Sequence, residues 1–281
     1  MNYKIYQVYY QEEQKKLLDK EFCPFDNTLN KRPDLREYHI FRIGYKKALS
    51  ERLSHWGFFS WKWEKKCKIK PQQFIDFIEK NPDQDVYIMN WCPYIECCNL
   101  NLWSNSEIYH PGITSIADQS LQKMKCDIYP YRSVSEIILT EKNFCCSSYF
   151  MASKKFWNDY LVFSNKFKNT IDNDQDLKEL VYGKTTYDNH QKCTYFPFIV
   201  ERLFSIFLFL TENKYKILNY PYDFSIYEKY VGENYKEMEK ASKLKLKFTE
   251  ESDKEKQVKY YNDWINQLSH INFPILIPDL D

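Results

Sequence analysis

Between Phe196 and Leu210, apolar side chains stand at 199, 200, 203, 204, 206, 207, 208 and 210, and the polar residues among them are Glu201, Arg202 and Ser205. Those positions point to nearly every side of a helix, so the pattern predicts one sunk in the core rather than lying on its surface. Lys4–Tyr10 is rich in β-branched and aromatic residues and reads as a first strand. A polar loop with Pro24, Asp26, Asn27, Arg32 and Pro33 follows. From Tyr38 to Leu53 the apolar residues Ile40, Phe41, Ala48 and Leu49 recur at helical spacing. Trp56–Trp61 reads as a buried strand, Pro71–Lys80 as a short amphipathic helix opened by proline, and Asp85–Asn90 as another strand. This alternation predicts an α/β protein with a parallel or mixed sheet.

The stretch from 91 to 140 is irregular and carries Trp103, His110, Pro111 and Gly112 before a helix at Ile113–Lys125. At Phe150–Tyr160 a strand end runs into a helix that Ser153 caps. Asp172, Asp174 and Asp176 form a polar surface patch. Beyond Pro221 the tail is charged and helical over Ser225–Tyr261, then apolar at Phe273–Pro278. No repeat or low-complexity linker divides the chain. The organisation expected is one domain over 1–222 with a helical C-terminal extension, 223–281, packed on it.

Composition narrows the functional classes. The 281 residues suffice for a large core, and 40 basic against 39 acidic side chains leave a net charge of +1, without a whole-chain footprint for nucleic acid. With only 5 glycines there is neither a GxGxxG nor a GxxxxGK[ST] phosphate cradle. The 24 Tyr, 20 Phe and 7 Trp serve a core and also supply stacking faces for sugars and bases. An odd count of 9 cysteines and a polar start without a secretory segment point to a reducing, cytoplasmic setting. Cys92, Cys97, Cys98, Cys145 and Cys146 lack zinc-ligand spacing and read as buried thiols. The longest apolar run is too short to span a bilayer, which leaves peripheral contact at the inner face of a membrane open.

Glu201 and Arg202 stand inside the most apolar helix, where an unpaired charge is costly. They are either a structural ion pair or the rigid mount of a catalytic carboxylate. Here a resemblance enters. The chain places a long helix before Gly57-Phe58-Phe59-Ser60-Trp61-Lys62-Trp63, then a short helix and Asp85–Asn90. Further on come the strand-to-helix segment Phe150–Trp157 and Phe198-Ile199-Val200-Glu201-Arg202. Across roughly residues 1 to 220, this order is similar to that of bacterial glycosyltransferases that build capsule and lipopolysaccharide glycans. The resemblance implies a GT-A-like (Rossmann-like) mixed sheet flanked by helices. It also implies an enzyme that transfers a sugar from a nucleotide-diphosphate donor to a glycan or lipid-linked acceptor.

In that fold the donor lies over the C-terminal edge of the sheet, and its departing diphosphate needs positive charge from a divalent cation or from Lys and Arg. Asp83 and Asp85 precede their strand, and Asp172, Asp174 and Asp176 follow none, so they read as turns or caps. No metal ligand is assigned, and a divalent metal (Mn or Mg) is left open. Lys62, at the end of its strand, takes the metal's part with Arg202; the alternative for Lys62 is an exposed basic loop. The resemblance puts Glu201 where a base accepts the acceptor proton, with Asp188 and Glu107 as runners-up. Gln7, Tyr9 and Tyr10 fall where the base binds. Asp26 and Asn27 either hold ribose or form an Asx turn. Trp61, Trp91, Trp103, His110 and Asp188 are candidates for the sugar and acceptor side. Donor sugar, acceptor, inversion versus retention and a homodimer through tail aromatics stay open. Two other classes compete: a non-catalytic α/β binding or assembly protein, and a Mg-dependent nucleotidyltransferase or phosphotransferase, which needs carboxylates converging at strand ends.

Overall fold

A computed structural model describes residues 1–183, 193–228 and 232–271. Six strands form one sheet among them: β1 (Tyr3–Tyr9), β2 (Cys23–Asp26), β3 (His55–Ser60), β4 (Val86–Ile88), β5 (Phe150–Ser153) and β6 (Ile217–Asn219). Their order is β2-β1-β3-β5-β4-β6. Every neighbour pair is parallel except those made by β5, which runs antiparallel between β3 and β4. The helices are α1 (Arg36–Ser50), α2 (Trp63–Cys67), α3 (Pro71–Lys80), α4 (Pro93–Cys98), α5 (Leu102–Tyr109), α6 (Ile113–Lys123), α7 (Lys154–Asp172), α8 (Gln175–Tyr182), α9 (Tyr195–Leu210), α10 (Tyr235–Glu250) and α11 (Lys254–Leu268). The expected α/β class holds, and the mixed sheet flanked by helices is compatible with a Rossmann-like arrangement.

Both faces of the sheet are covered, so its strands are apolar on both sides instead of alternating with polar residues. On one face Tyr6, Val8, Trp56, Phe58, Ile88 and Phe150 meet Phe41 of α1 and Trp157 and Tyr160 of α7. On the other, Ile5, Phe59, Tyr87 and Met151 meet Trp63 of α2 and Phe74 and Ile78 of α3. Helix α9 belongs to both layers: Phe196, Ile199, Val200, Leu203 and Ile206 join the second, Phe204, Phe207 and Leu208 the first. That double burial is why α9 is apolar around nearly its whole circumference.

Gly57 sits where β3 meets β5. A Cβ there would come 2.5 Å from the Phe150 carbonyl oxygen, a backbone atom with little freedom to retreat. Gly57→Ala should therefore cost about 1–3 kcal/mol through overpacking, read as a lower urea midpoint with unchanged m. An unchanged midpoint would mean that the β3–β5 pairing yields.

The sequence reading missed four elements. Cys23–Asp26 is a strand, not loop: its Pro24 is tolerated because β2 lies at the sheet edge, paired on one side by β1. At the other edge β6, with three residues, is too short to show a period. The stretch from 91 is not irregular, for α4 and α5 occupy much of it. Pro93 opens α4, and the Asn101 side chain caps α5 by accepting from the backbone N–H groups of Trp103 and Ser104. The charged tail, expected to be helical, holds two helices, parted where Asp253 caps α11.

Helices α10 and α11 pack on α4 through Phe224, Met238, Ala241, Phe248, Trp264 and Cys97. Beneath them lies a buried ion pair. Lys245 Nζ stands 3.0 Å from Glu96 Oε1 and donates to the carbonyls of Glu96 and Asn99, each at 2.6 Å, while Ser242 donates to Glu96 Oε2. No helix among the described residues is long and apolar enough to cross a membrane.

Candidate active site

The C-terminal ends of β1, β3 and β4 lie along one edge of the sheet. The neighbours of β1 are β2 on one side and β3 on the other, so the strand order reverses there, and open α/β sheets take their ligands at such a point. Each connection leaving this edge carries polar groups. Tyr10 follows β1, Arg36 and Glu37 open α1, Lys62 and Lys66 follow β3, and Trp91 and Cys92 follow β4. Helix α9 brings Phe198, Glu201 and Arg202, and His110 caps the end of α5.

Arg202 is held from three sides. It donates to Ser106 Oγ and, at 2.7 Å, to the Phe198 carbonyl, and it pairs with Glu201 Oε2 at 3.2 Å. Among the described residues the other oxygen of Glu201 accepts no hydrogen bond, and its side chain keeps 25% of its surface. The two charged residues are thus an ion pair and also present a carboxylate oxygen outward. His110 is buried with its ring stacked on Phe198, centroids 3.8 Å apart. Burial and the Arg202 charge push it down to about 4, so at neutral pH it is uncharged.

Two further cations stand over aromatic rings. The Arg36 guanidinium lies 5.7 Å from the Phe198 centroid, and its backbone has φ of 39°, an uncommon left-handed value for the first residue of a helix. The Lys66 ammonium lies 4.9 Å from the Trp91 centroid. Trp91 is 8% exposed, and its buried indole N–H finds no acceptor among the described residues.

Electrostatics tie these groups together. Glu37 reaches solvent only in part and is otherwise enclosed; that burial, then the charge of Glu201, pushes its carboxyl up, while Arg36 and Lys66 pull the other way. Burial and the charge of Glu37 raise the Tyr10 hydroxyl. Burial, Cys146 and the charge of Glu201 raise the Cys92 thiol. Glu37 therefore lies within electrostatic reach of both Glu201 and Lys66. Arg36, Lys66 and Arg202 outnumber Glu37 and Glu201 by one, so the region favours an anion.

The structure distributes the sequence candidates unevenly. Glu201 and Arg202 stand side by side on α9, next to Phe198 and Ser106. Lys62 caps α2, its ammonium 5.5 Å from the Trp61 ring, and both are half-buried. Of this basic run, Lys66 is the member whose charge acts on Glu37 and Cys92. Trp103 is fully buried and offers no face to a sugar. His110 is likewise no exposed loop residue, because α5 and α6 fold around it. Gln7 is also fully buried; its amide donates to Asp19 Oδ2 and the Ser60 carbonyl and accepts from the Asp19 N–H, which ties down the loop after β1. The Tyr9 ring is buried.

Asp26, on the edge strand, accepts from the N–H and Oγ1 of Thr28, which is the Asx-turn alternative. Asn27, 7% exposed, continues β2 by donating its N–H to the Tyr9 carbonyl. Glu107 caps α6, accepting from the N–H groups of Gly112 and Thr114, a task Gly112 lacks a side chain to do. Asp188 lies outside the described residues.

The acidic pairs are structural where they stand. Asp85 accepts from Ser153 Oγ and the Lys216 N–H at the opposite end of β4. Asp174 caps α8 and pairs with Lys123; Asp172 accepts from Lys168 and Tyr182. Among the described residues no three His, Cys, Asp or Glu side chains converge as a metal site requires. All nine cysteines are free thiols. Two grooves, of about 870 and 820 Å³, lie along α6 and between β6 and α10. Neither contains Glu201, and size alone does not outweigh the charges gathered at the sheet edge.

Arg36, Glu37 and Lys66 were not singled out from the sequence. A charged pair opening a helix usually faces solvent, whereas Arg36 and Glu37 are half-buried at the start of α1, which packs against α9. No protein-family model matches the chain, and no curated protein or solved structure matches it either.

Proposed function

We propose that this protein is a glycosyltransferase of GT-A-like fold that moves a sugar from a nucleotide diphosphate to a hydroxyl of a glycan or lipid-linked acceptor in surface polysaccharide biosynthesis. The observation that carries the reading is Glu201: one oxygen of its carboxylate is held by Arg202 and the other is left open, while the cations Arg36 and Lys66 stand over the rings of Phe198 and Trp91. In the reaction the acceptor oxygen bonds to the anomeric carbon as the bond from that carbon to the diphosphate oxygen breaks. The acceptor proton passes to Glu201, and the charge gained by the diphosphate is met by Lys66 and Arg36, with Lys62 one helical turn before Lys66. Reduced cysteines fit a cytoplasmic reaction, at the inner face of the membrane where the acceptor is lipid-linked.

Thermal denaturation with UDP, GDP, CDP and dTDP, with their sugar derivatives, and with free nucleosides tests the reading. At least one diphosphate series should raise the melting temperature, a linkage effect that grows with ligand concentration. Lys66→Ala should weaken the diphosphate tenfold or more, about 1.4 kcal/mol, and leave the nucleoside unchanged. Lys62→Ala serves as the comparison, and arms with Mn²⁺ and with chelator ask whether a metal shares the load. If no nucleotide shifts the transition, the reading falls.

A further inference from the structure

The short helix α4 ends in two adjacent cysteines whose sulfurs touch. Cys97 Sγ and Cys98 Sγ stand 3.2 Å apart, within hydrogen-bonding reach of one another. Consecutive side chains on a helix do not normally face each other. Here the helix is running out, for Asn99 is already extended, with φ −127° and ψ 148°. The two thiols differ in access. Cys97 is fully buried beneath α10 and α11, packed with Phe224, Met238, Phe248 and Trp264, whereas Cys98 is half-buried. The backbone around the pair also carries much of what fastens those helices. The Cys97 carbonyl accepts from Trp264 Nε1 at 2.8 Å, and the Lys245 ammonium donates to the carbonyls of Glu96 on one side and Asn99 on the other. A change in backbone conformation at 97–98 therefore reaches all three anchors.

We propose that Cys97 and Cys98 are a reversible oxidation site, closed to a disulfide by a small disulfide such as oxidised glutathione, and that closure loosens α10 and α11 from α4. Cys98, the more accessible thiol, loses its proton to solvent and attacks one sulfur of the glutathione disulfide. One glutathione leaves as a thiolate and takes up a proton, and Cys98 is left in a mixed disulfide. Cys97 Sγ then attacks Cys98 Sγ, and the second glutathione leaves, accepting the proton that Cys97 gives up. Two protein thiols become one disulfide while the glutathione disulfide is reduced to two thiols. The proposal stands whether or not the protein transfers sugars.

Geometry makes this bond a switch and not a staple. Ordinary disulfides join Cα atoms about 4.4–6.8 Å apart, whereas neighbours in the chain are about 3.8 Å apart. A ring closed between adjacent residues is consequently strained, cannot keep the helical backbone of α4, and is readily reduced again. Its formation draws the sulfurs from 3.2 Å to about 2.0 Å and turns the peptide between them, which pulls the Cys97 carbonyl from Trp264 and disturbs the cradle of Lys245. Reduction lets the last turn of α4 reform, and the two C-terminal helices dock again.

Native protein incubated with oxidised glutathione, quenched in acid, alkylated and peptide-mapped by mass spectrometry tests the proposal. Two fewer of the nine thiols should alkylate, and the peptide holding Cys97 and Cys98 should be lighter by two hydrogens. Trypsin should then cut within α10 and α11 at least about fivefold faster, and dithiothreitol should restore the original rate. Cys98→Ser should leave cleavage of the native protein indifferent to the oxidant, and Cys97→Ser should stop at glutathione carried on Cys98. The position of the bond is decisive, because the thiols of Cys92 and Cys146 also interact. A wild type that keeps all nine thiols, that forms its disulfide elsewhere, or that holds glutathione on Cys98 without closing the ring overturns the proposal. A Cys97–Cys98 disulfide that leaves cleavage of α10 and α11 unchanged overturns it as well.

Discussion

Glu201→Gln should lower the turnover number by about 10²–10⁴ while donor and acceptor bind as before. The variant is chosen because the glutamine carbonyl still accepts the Arg202 hydrogen bond that Glu201 accepts at 3.2 Å. Arg202 therefore keeps its contacts to Ser106 and the Phe198 carbonyl, and the melting temperature should hardly move. What is lost is an oxygen able to take a proton from the acceptor as it attacks. Such a loss appears in kcat and kcat/KM together and leaves KM alone, the mark of an interaction made only in the transition state. Glu201→Ala would be a poorer test, since it strips Arg202 of a partner inside an apolar helix and mixes stability with chemistry. Turnover within threefold of wild type would remove Glu201 from the mechanism and return the protein to the binding-module class.

The largest expected effect on stability lies away from the cleft. Lys245 is fully buried and Glu96 is 1% exposed, and all three protons of the ammonium have acceptors: the Glu96 carboxylate and the carbonyls of Glu96 and Asn99. Lys245→Met leaves Glu96 an ion without a counterion, at a cost of about 3–5 kcal/mol. Pairing it with Glu96→Gln should recover much of that, because the remaining amide still answers Ser242 and no charge is stranded. Urea midpoints of the two variants measure the difference, and limited proteolysis should show α10 and α11 cut first in the single one. A loss below about 1 kcal/mol in Lys245→Met would mean that water reaches Glu96 and that the pair is not what fastens these helices. Because α4 directly follows Trp91 and Cys92, loosening it should also disturb the packing of Lys66 on Trp91.

How much was legible in advance differs between fold and site. The central strands and α9 announce themselves because their burial is strong and their length sufficient: Pro71–Lys80 was bounded to the residue, and the all-round apolar surface of α9 follows from its place between two layers. β6 and α4 are too brief for any period, and the capping side chain of Asn101 was the one readable sign of α5. The site divides along another line. Glu201 stood out as a charge among apolar residues, a contrast visible in one dimension. Arg36, Glu37 and Lys66 sit in charged stretches where nothing marks them, and only three-dimensional packing leaves each of them half-buried. The reverse error has the same root. Trp103 and His110 looked accessible because the segment holding them looked unfolded, whereas α5 and α6 bury both.

The position of β5 has an effect on how the molecule must assemble. As β5 lies between them, β4 and β3 share no hydrogen bond with each other; what joins them is a segment made some sixty residues after β4. A nascent chain that has emerged only as far as the helices after β4 thus owns the three paired strands β2, β1 and β3, with the border of β3 bare and able to recruit a foreign strand, while β4 still lacks both of its neighbours. The keystone arrives with Phe150–Ser153, so the order of synthesis itself defers closure of the fold to the second half of the chain.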